Sequence, residues 1–514
     1  MNRFLILYLI FPIVISGCST IDRNPVRTES TAMSAGTGGV LARVARSAKS
    51  TIPSHQSGFH LIPEADEAMK WRLALADHAT KSIDIQYYLW YTDEAGTLLL
   101  SRVLAAAERG VRVRILVDDL LFANDESKLA ALCHHPGVEI RIFNPQFVRG
   151  TGLPAKLEVL ARFGQLNRRM HNKAFIVDNQ LALMGGRNIG NEYFGLGKKY
   201  NFVDLDVLTV GPVVPEASIS FDRFWNSKLS HPGEAFSTET GPEATDSVIA
   251  DIHRWVRETD GILASSPFPR QRRDWSSRWD GLKHRWHAGS AALIDDAPTR
   301  AGDKIEGRFV EKALAQISEP AEEEVLFTSP YLIPGRQVHR AIRSYHERGV
   351  EVKLLTASMG ANNHLFVHSH YRPHRGRLVD DGVDLREFRE DAIPEVHAVA
   401  DTPPVAGDRL ALHVKAGVGD RKRCFIGSLN LDPRAIDLNT ENGLIIDSPG
   451  LAGELANFID TLMMDESAWS VTKSENGQLN WKSRGETLTR QPAPDQKSRV
   501  MDFFWGILPI RHLL

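Results

Sequence analysis

The run Asn167-Arg-Arg-Met-His171-Asn-Lys173-Ala-Phe-Ile-Val-Asp178, with Gly185-Gly186-Arg187-Asn188 six residues further on, decides how the rest of this chain is read. The arrangement returns 242 residues later as His413-Val-Lys415-Ala-Gly-Val-Gly-Asp420, again followed after six residues by Gly427-Ser428-Leu429-Asn430. One His-x-Lys-x4-Asp arises by chance in many chains; two copies sharing a downstream Gly-x-x-Asn mark a duplicated site. Each copy reads as a strand, because His-x-Lys places both side chains on one face and the following apolar residues lead inward. The Gly-x-x-Asn segment is expected to pass close to a ligand. There Gly185, Gly186 and Ser428 would offer backbone N–H groups to phosphate oxygens, and Asn188 and Asn430 would add side-chain donors.

Working outward, Ser82-Ile-Asp-Ile-Gln-Tyr-Tyr-Leu-Trp90 alternates like a strand, and a helix is expected over 94–109, capped by Gly110. Val111-Arg-Val-Arg-Ile-Leu-Val117 is the next strand, which completes a βαβ unit. The second half repeats these pieces: 324–332 matches the first strand, 348–355 matches 109–116, and Gly382-Val-Asp-Leu-Arg matches Gly137-Val-Glu-Ile-Arg. The fold class is therefore α/β, with two pseudo-symmetric lobes at 58–235 and 305–470, each a mostly parallel or mixed sheet flanked by helices, and one active site between them.

These motifs resemble the phospholipase D superfamily, whose members carry two His-Lys-Asp motifs, one from each half of a pseudo-symmetric fold. The run through His171, the Gly-Gly-Arg-Asn-Ile after it and the closing Leu508-Pro-Ile are similar to the bacterial branch that contains the C-type cardiolipin synthases. The resemblance covers the chain from about residue 58 onward, apart from part of a central insertion. It implies phosphatidyl transfer between phospholipids. One imidazole attacks phosphorus and forms a phosphohistidine; the other protonates the leaving alcohol and then activates the acceptor. The family more often uses the first motif for attack, which makes His171 the expected nucleophile and His413 the acid/base. Lys173 and Lys415 would hold the non-bridging oxygens, so that no metal or other cofactor is expected. The family also places a carboxylate that orients each imidazole after the Gly-x-x-Asn segment, at Asp204 and Glu441 here, with Asp206 on the same side of its strand as Asp204. Asp178 and Asp420 are expected to brace the site. Hydrolysis to phosphatidic acid and a secreted nuclease are the competing activities. The nuclease is disfavoured by a formal net charge of -3, which supplies no basic field for a polyanion, so no nucleic-acid partner is expected.

At 514 residues, 42% hydrophobic and 24% charged, the chain suits a large globular body. Met1-Asn-Arg3 and the short apolar run after it read as a signal peptide over 1–17. Ile15-Ser16-Gly17-Cys18 resembles a lipobox, which makes Cys18 the expected lipidation site and the protein an envelope lipoprotein facing the periplasm. Ser19 points to the outer membrane rather than the inner. Residues 18–57, rich in Ser, Thr, Ala and Gly, read as a flexible tether. Of three cysteines, Cys133 and Cys424 remain, too few for a disulfide framework, and Cys424 reads as a buried strand residue. Oligomeric state is not legible.

The insertion at 236–304 interleaves Trp255, Trp275, Trp279 and Trp286 with arginines. That pattern suits either a segment lying at a phospholipid surface or a helix using Trp for packing. His364, His368, His370 and His374 lack an acidic or Cys partner at metal-site spacing, so metal is not expected there either. The apolar end at 503–514, within an extension over 471–514, is too short to span a bilayer and should pack on the second lobe.

Overall fold

The computed structural model describes residues 21–119, 132–150, 152–236, 242–299, 313, 316–317 and 320–511. The signal peptide and Cys18 lie outside them.

In the first lobe the strands are β1 (Ser57–Ile62), β2 (Ser82–Tyr87), β3 (Arg112–Asp118), β4 (Val138–Phe143), β5 (Ala174–Val177), β6 (Leu181–Gly185), β7 (Asn201–Val203), β8 (Asp206–Val210) and β9 (Ser230–Pro232). Pairing runs β1-β8-β6-β5-β2-β3-β4-β9, with β2, β3 and β4 parallel and the rest antiparallel. The second lobe has β10 (His287–Asp295), β11 (Glu324–Thr328), β12 (Glu351–Ala357), β13 (Val383–Phe388), β14 (Leu410–Leu412), β15 (Ala416–Gly419), β16 (Arg423–Gly427), β17 (Asn442–Asp447) and β18 (Ala468–Lys473). Its order, β10-β17-β16-β15-β11-β12-β13-β18, is the same pattern. The expected duplication is therefore realised strand for strand. In the central βαβ unit, the Asp93 side chain accepts from Gly96 N at 3.0 Å to start the helix Glu94–Glu108, and Gly110, at φ +88°, ends it in the left-handed region that glycine tolerates.

The lobes are fused, not merely adjacent. β10 pairs with β17 along its length and also with β1 of the first lobe, so one strand belongs to both sheets. This moves the start of the second lobe: residues 287–295, expected in the insertion, form the strand that joins the two sheets. The helices Val213–Trp225 and Pro449–Met463 share one hydrophobic cluster, in which Phe221, Trp225, Leu455 and Ile459 pack with Met170, Ala174, Val414 and Ala416 of the motif strands. Cys424 is buried in that cluster, as its sequence context implied.

Residues 21–57 are not a free tether. Arg112, Arg114 and Arg141 donate to the backbone carbonyls of Thr31, Ser30 and Thr28 at 2.8, 3.0 and 2.5 Å, strapping the segment to the first lobe. The helix Gly39–Thr51 buries Leu41, Val44 and Ala48. The composition misleads here because the segment is held through its backbone carbonyls as well as by the few apolar side chains of that helix.

In the insertion, Trp275 and Trp279 are both 2% exposed, and Trp275 Nε1 donates to Asp77 at 2.7 Å. Trp279 packs on Trp71 with ring centroids 5.1 Å apart. The packing reading holds for both. Of the histidine group, His368 is fixed between Asp502 at 2.9 Å and Arg375 at 2.9 Å, where it bridges the two by hydrogen bonds, accepting from the arginine. The helix Gln496–Ile507 docks on the second lobe through its buried Asp502, but Phe503, Phe504, Ile507 and Leu508 stay exposed, so the apolar end does not pack there by its apolar side chains.

Candidate active site

Both motif histidines lie at the junction of the lobes, held there by backbone bonds that cross it. His171 N donates to Thr440 O at 2.9 Å, and His413 N donates to Val203 O at 2.8 Å. β14 runs parallel to β7, with Leu412 opposite Val203, and Met170 bridges to Thr440 in the same sense. Thr440 and Val203 each immediately precede an orienting carboxylate, so the same ladder that fixes a histidine delivers the other lobe's acid to it.

The carboxylates therefore cross over. His171 Nδ1 bonds Glu441 at 2.7 Å, and His413 Nδ1 bonds Asp204 at 2.5 Å. With Nδ1–H donated to an acid, the lone pair is left on Nε2. All four side chains are buried. Lys173 Nζ donates to His171 O at 2.6 Å and Lys415 Nζ to His413 O at 2.6 Å, two matching ammonium groups beside two matching imidazoles. Asn442 grips the Lys173 backbone from across the junction, accepting from N at 3.0 Å and donating to O at 3.2 Å.

Burial dominates the charges. It pushes Lys173 down to about 7 and Lys415 down to about 8, Lys415 adding to the fall at Lys173, while nearby acids oppose it at both. Both imidazoles are held well below their ordinary range by burial and by the two lysines, so they are neutral. Burial likewise raises Glu441 to about 8 and lifts Asp204. The site thus holds few net charges, and a phosphodiester anion entering it would restore the ammonium form of both lysines.

Several expected site residues serve the scaffold instead. Asp178 accepts from the backbone N–H groups of Thr80, Lys81 and Ser82 at 2.7–3.1 Å, and Asp420 from those of Glu322, Glu323 and Glu324 at 2.9–3.0 Å. Both stand at hairpin turns with φ near +50°, shared with Asn179 and Arg421, at the strand end away from the histidines. They brace the βαβ unit and touch no reacting group. Gly185 and Gly186 are small because the strand carrying Asp204 and Asp206 crosses them: a Cβ would sit 2.4 Å from Asp206 Oδ1 or 2.3 Å from Asp204 Oδ1. They admit the carboxylate rather than a phosphate. Ser428 likewise donates its hydroxyl to Glu441 at 2.5 Å. Asp206 is neutralised by Arg72 at 3.0 Å and is not an orienting acid. Asn188 is engaged with Tyr193 OH at 2.9 Å and Leu89 N at 3.3 Å, whereas Asn430 keeps a buried Oδ1 with no hydrogen-bond partner.

Sequence reasoning missed the aromatic walls. Tyr88 meets His171 edge-on at 5.1 Å, and Lys173 Nζ lies 5.7 Å from its ring centre. In the other lobe His413 is walled by Tyr193 and Phe202 at 5.3 and 4.8 Å, and Lys415 Nζ lies 6.0 Å from the Tyr331 ring. The signal was present: Tyr88 and Tyr331 follow equivalent strands. Arg187, fully buried, also went unremarked; it donates to Asp204 O at 2.7 Å and so fixes the acid's strand.

Two buried imidazole–carboxylate pairs and two buried lysines gathered at the junction of the lobes form an arrangement suited to phosphodiester chemistry. A family model described as "Cardiolipin synthase, PLD-like domain" matches residues 73–225 and 314–463, one stretch per lobe. The chain belongs to this phospholipase D-like family, within its cardiolipin synthase-like enzymes. It is 34% identical over 474 residues to cardiolipin synthase C of Escherichia coli (strain K12), spanning 89% of this chain and 96% of that one. An uncharacterized protein of Helicobacter pylori (strain ATCC 700392 / 26695) is 31% identical over 78% of each chain. Among solved structures, phosphatidylserine synthase of Haemophilus influenzae Rd KW20 shares the fold, with a TM-score of 0.56 at 14% identity, over 91% of this chain and 100% of that one.

Proposed function

We propose that this enzyme moves a phosphatidyl group from one phospholipid to the alcohol of another, making cardiolipin through a covalent phosphohistidine. The observation that carries the mechanism is the crossed pairing, in which each imidazole gives Nδ1–H to an acid from the other lobe and keeps Nε2 for chemistry. In the first step His171 Nε2 bonds to phosphorus as the P–O bond to the donor's alcohol breaks, and His413, which takes up a proton on Nε2 when the phosphodiester anion binds, gives that proton to the departing alcohol. In the second step His413 takes the proton of the acceptor hydroxyl, whose oxygen bonds to phosphorus as the N–P bond breaks. Lys173 and Lys415 hold the non-bridging oxygens throughout. The cardiolipin product is supported by family membership and by the likeness to a cardiolipin synthase. Incubation with labelled phosphatidylglycerol tests it: labelled cardiolipin is expected, and phosphatidic acid alone would make the enzyme a hydrolase.

We also propose lipid anchoring at Cys18, on the motif Ile15-Ser16-Gly17-Cys18. Cys18→Ala should abolish incorporation of labelled palmitate; retained label would refute the anchor.

A further inference from the structure

Two patches of exposed apolar side chains lie near the two histidines, one on each lobe. On the first lobe the helix Leu153–Ala161 and the turn after it expose Leu153, Leu157, Leu160 and Phe163, with Leu160 76% exposed. The spacing of 153, 157 and 160 puts three leucines on one outward stripe. This helix leads into the first motif. Leu166, the last residue of the next short helix, precedes His171 by five residues, which reach at most about 17 Å.

On the second lobe the helix Gln496–Ile507 is inverted relative to an ordinary surface helix. Its fully buried residue is Asp502, pinned by His368 and Arg372 at 2.9 Å each, whereas Val500, Phe503, Phe504 and Ile507 face outward, Ile507 63% exposed. A run of ring contacts ties this helix to the chemistry: His413 to Tyr331, Tyr331 to His364, His364 to Phe366 and Phe366 to Trp505, each 5.3–6.3 Å between centroids.

We infer that these two patches are the surface by which the enzyme seats on a phospholipid bilayer, with the two-histidine site opening onto the headgroups between them. The inference rests on the reading that the substrate is a phospholipid. Each patch is bordered by cations, Lys156 on the first and Lys497, Arg499 and Arg511 on the second, which suits an anionic lipid surface. Phe and Leu at a boundary beside Lys and Arg is the composition of an interfacial helix. Among the described residues no helix is long and apolar enough to cross a membrane, so the patches dock rather than span. A second copy or a protein partner covering both would close the route by which a two-chain lipid reaches His171 and His413.

The test labels the full chain at Leu160→Cys or Phe504→Cys with a polarity-sensitive dye; Cys133 and Cys424 are buried and should not compete. With phosphatidylglycerol vesicles both labels should brighten and shift to the blue. A paired measurement uses Leu157→Ser/Leu160→Ser and Phe503→Ser/Phe504→Ser, all at exposed positions that leave the cores untouched. Each double variant should lose about tenfold or more in turnover of vesicle lipid while keeping that of a monomeric short-chain phospholipid. Either label staying in water on vesicle-bound enzyme would overturn the docking surface. So would undiminished vesicle turnover, or variants whose sole defect is loss of self-association in solution. Wild-type enzyme inactive on every phospholipid, yet with both labels entering the bilayer, would sustain the docking surface and refute the proposed reaction.

Discussion

Changing Glu441 to Gln and Asp204 to Asn separates the two halves of the reaction, because each acid serves the histidine of the opposite lobe. The amide keeps the shape but can present either its oxygen or its NH2 to Nδ1; the second choice puts the proton on Nε2 and removes the nucleophile's lone pair. Disturbing a histidine's orienting carboxylate costs from about 10-fold to about 10⁴-fold in rate, or about 1.4–5.4 kcal/mol of barrier. Stability should not fall in step. Glu441, buried and raised to about 8, binds its proton more tightly folded than unfolded, so it withdraws stability as pH rises from its ordinary carboxyl range toward 8. A neutral Gln escapes that loss, and the melting temperature at pH 8 should be unchanged or higher. In stopped-flow with a phosphodiester bearing a nitrophenol leaving group, which needs no proton, Glu441→Gln should lose the burst with His171. Asp204→Asn should keep the burst yet turn over natural lipid poorly. Refutation would be either variant within about threefold of wild type on natural lipid, or the opposite assignment of the burst.

Asp178→Ala strands three backbone donors and should cost about 2–4 kcal/mol in urea unfolding, with kcat of the folded enzyme within about threefold; Asp420→Ala, on a more exposed turn, should cost less. A catalytic collapse in Asp178→Ala at unchanged stability would contradict the bracing role. Trp279→Ala should lose about 3–5 kcal/mol of stability as a core truncation, and weakened vesicle binding at full stability would instead place it at the lipid surface. Binding of a soluble phosphonate monoester, a monoanion throughout, should weaken as pH rises from 6 to 9, because Lys173 at about 7 and Lys415 at about 8 lose their charge. Calorimetry showing flat or rising affinity over that range would oppose the lysine assignment.

Much of this was legible in the sequence. His171, Lys173, His413 and Lys415 announced themselves because a strand forces His-x-Lys onto one face and the 242-residue repeat supplied the second copy. The duplication and the parallel strands at the centre of each sheet followed from the matched βαβ pieces. The crossed acids were named without their partners, since which lobe an acid serves is set by β7 against β14 and Met170 against Thr440, contacts between segments some 200 or more residues apart. Asp178 and Asp420 misled because a hairpin turn at positive φ and a catalytic acid favour the same residue type. Gly186 and Ser428 misled similarly: a residue can be small to admit a carboxylate as readily as a phosphate. The strap at 21–57 was illegible because buried arginines grip its carbonyls.

The central claim is a single two-histidine site assembled across the lobes, and trapping the covalent adduct tests it most directly. Quench in alkaline denaturant of enzyme turning over headgroup-labelled phospholipid would leave no label on protein, whereas phosphorus-labelled or acyl-labelled substrate should leave an alkali-stable, acid-labile adduct that peptide mapping under alkaline conditions places on His171. That adduct should vanish in Glu441→Gln and, with a nitrophenyl phosphodiester that needs no proton on leaving, accumulate in Asp204→Asn. An adduct on His413, or full turnover with neither histidine ever modified, would contradict the account.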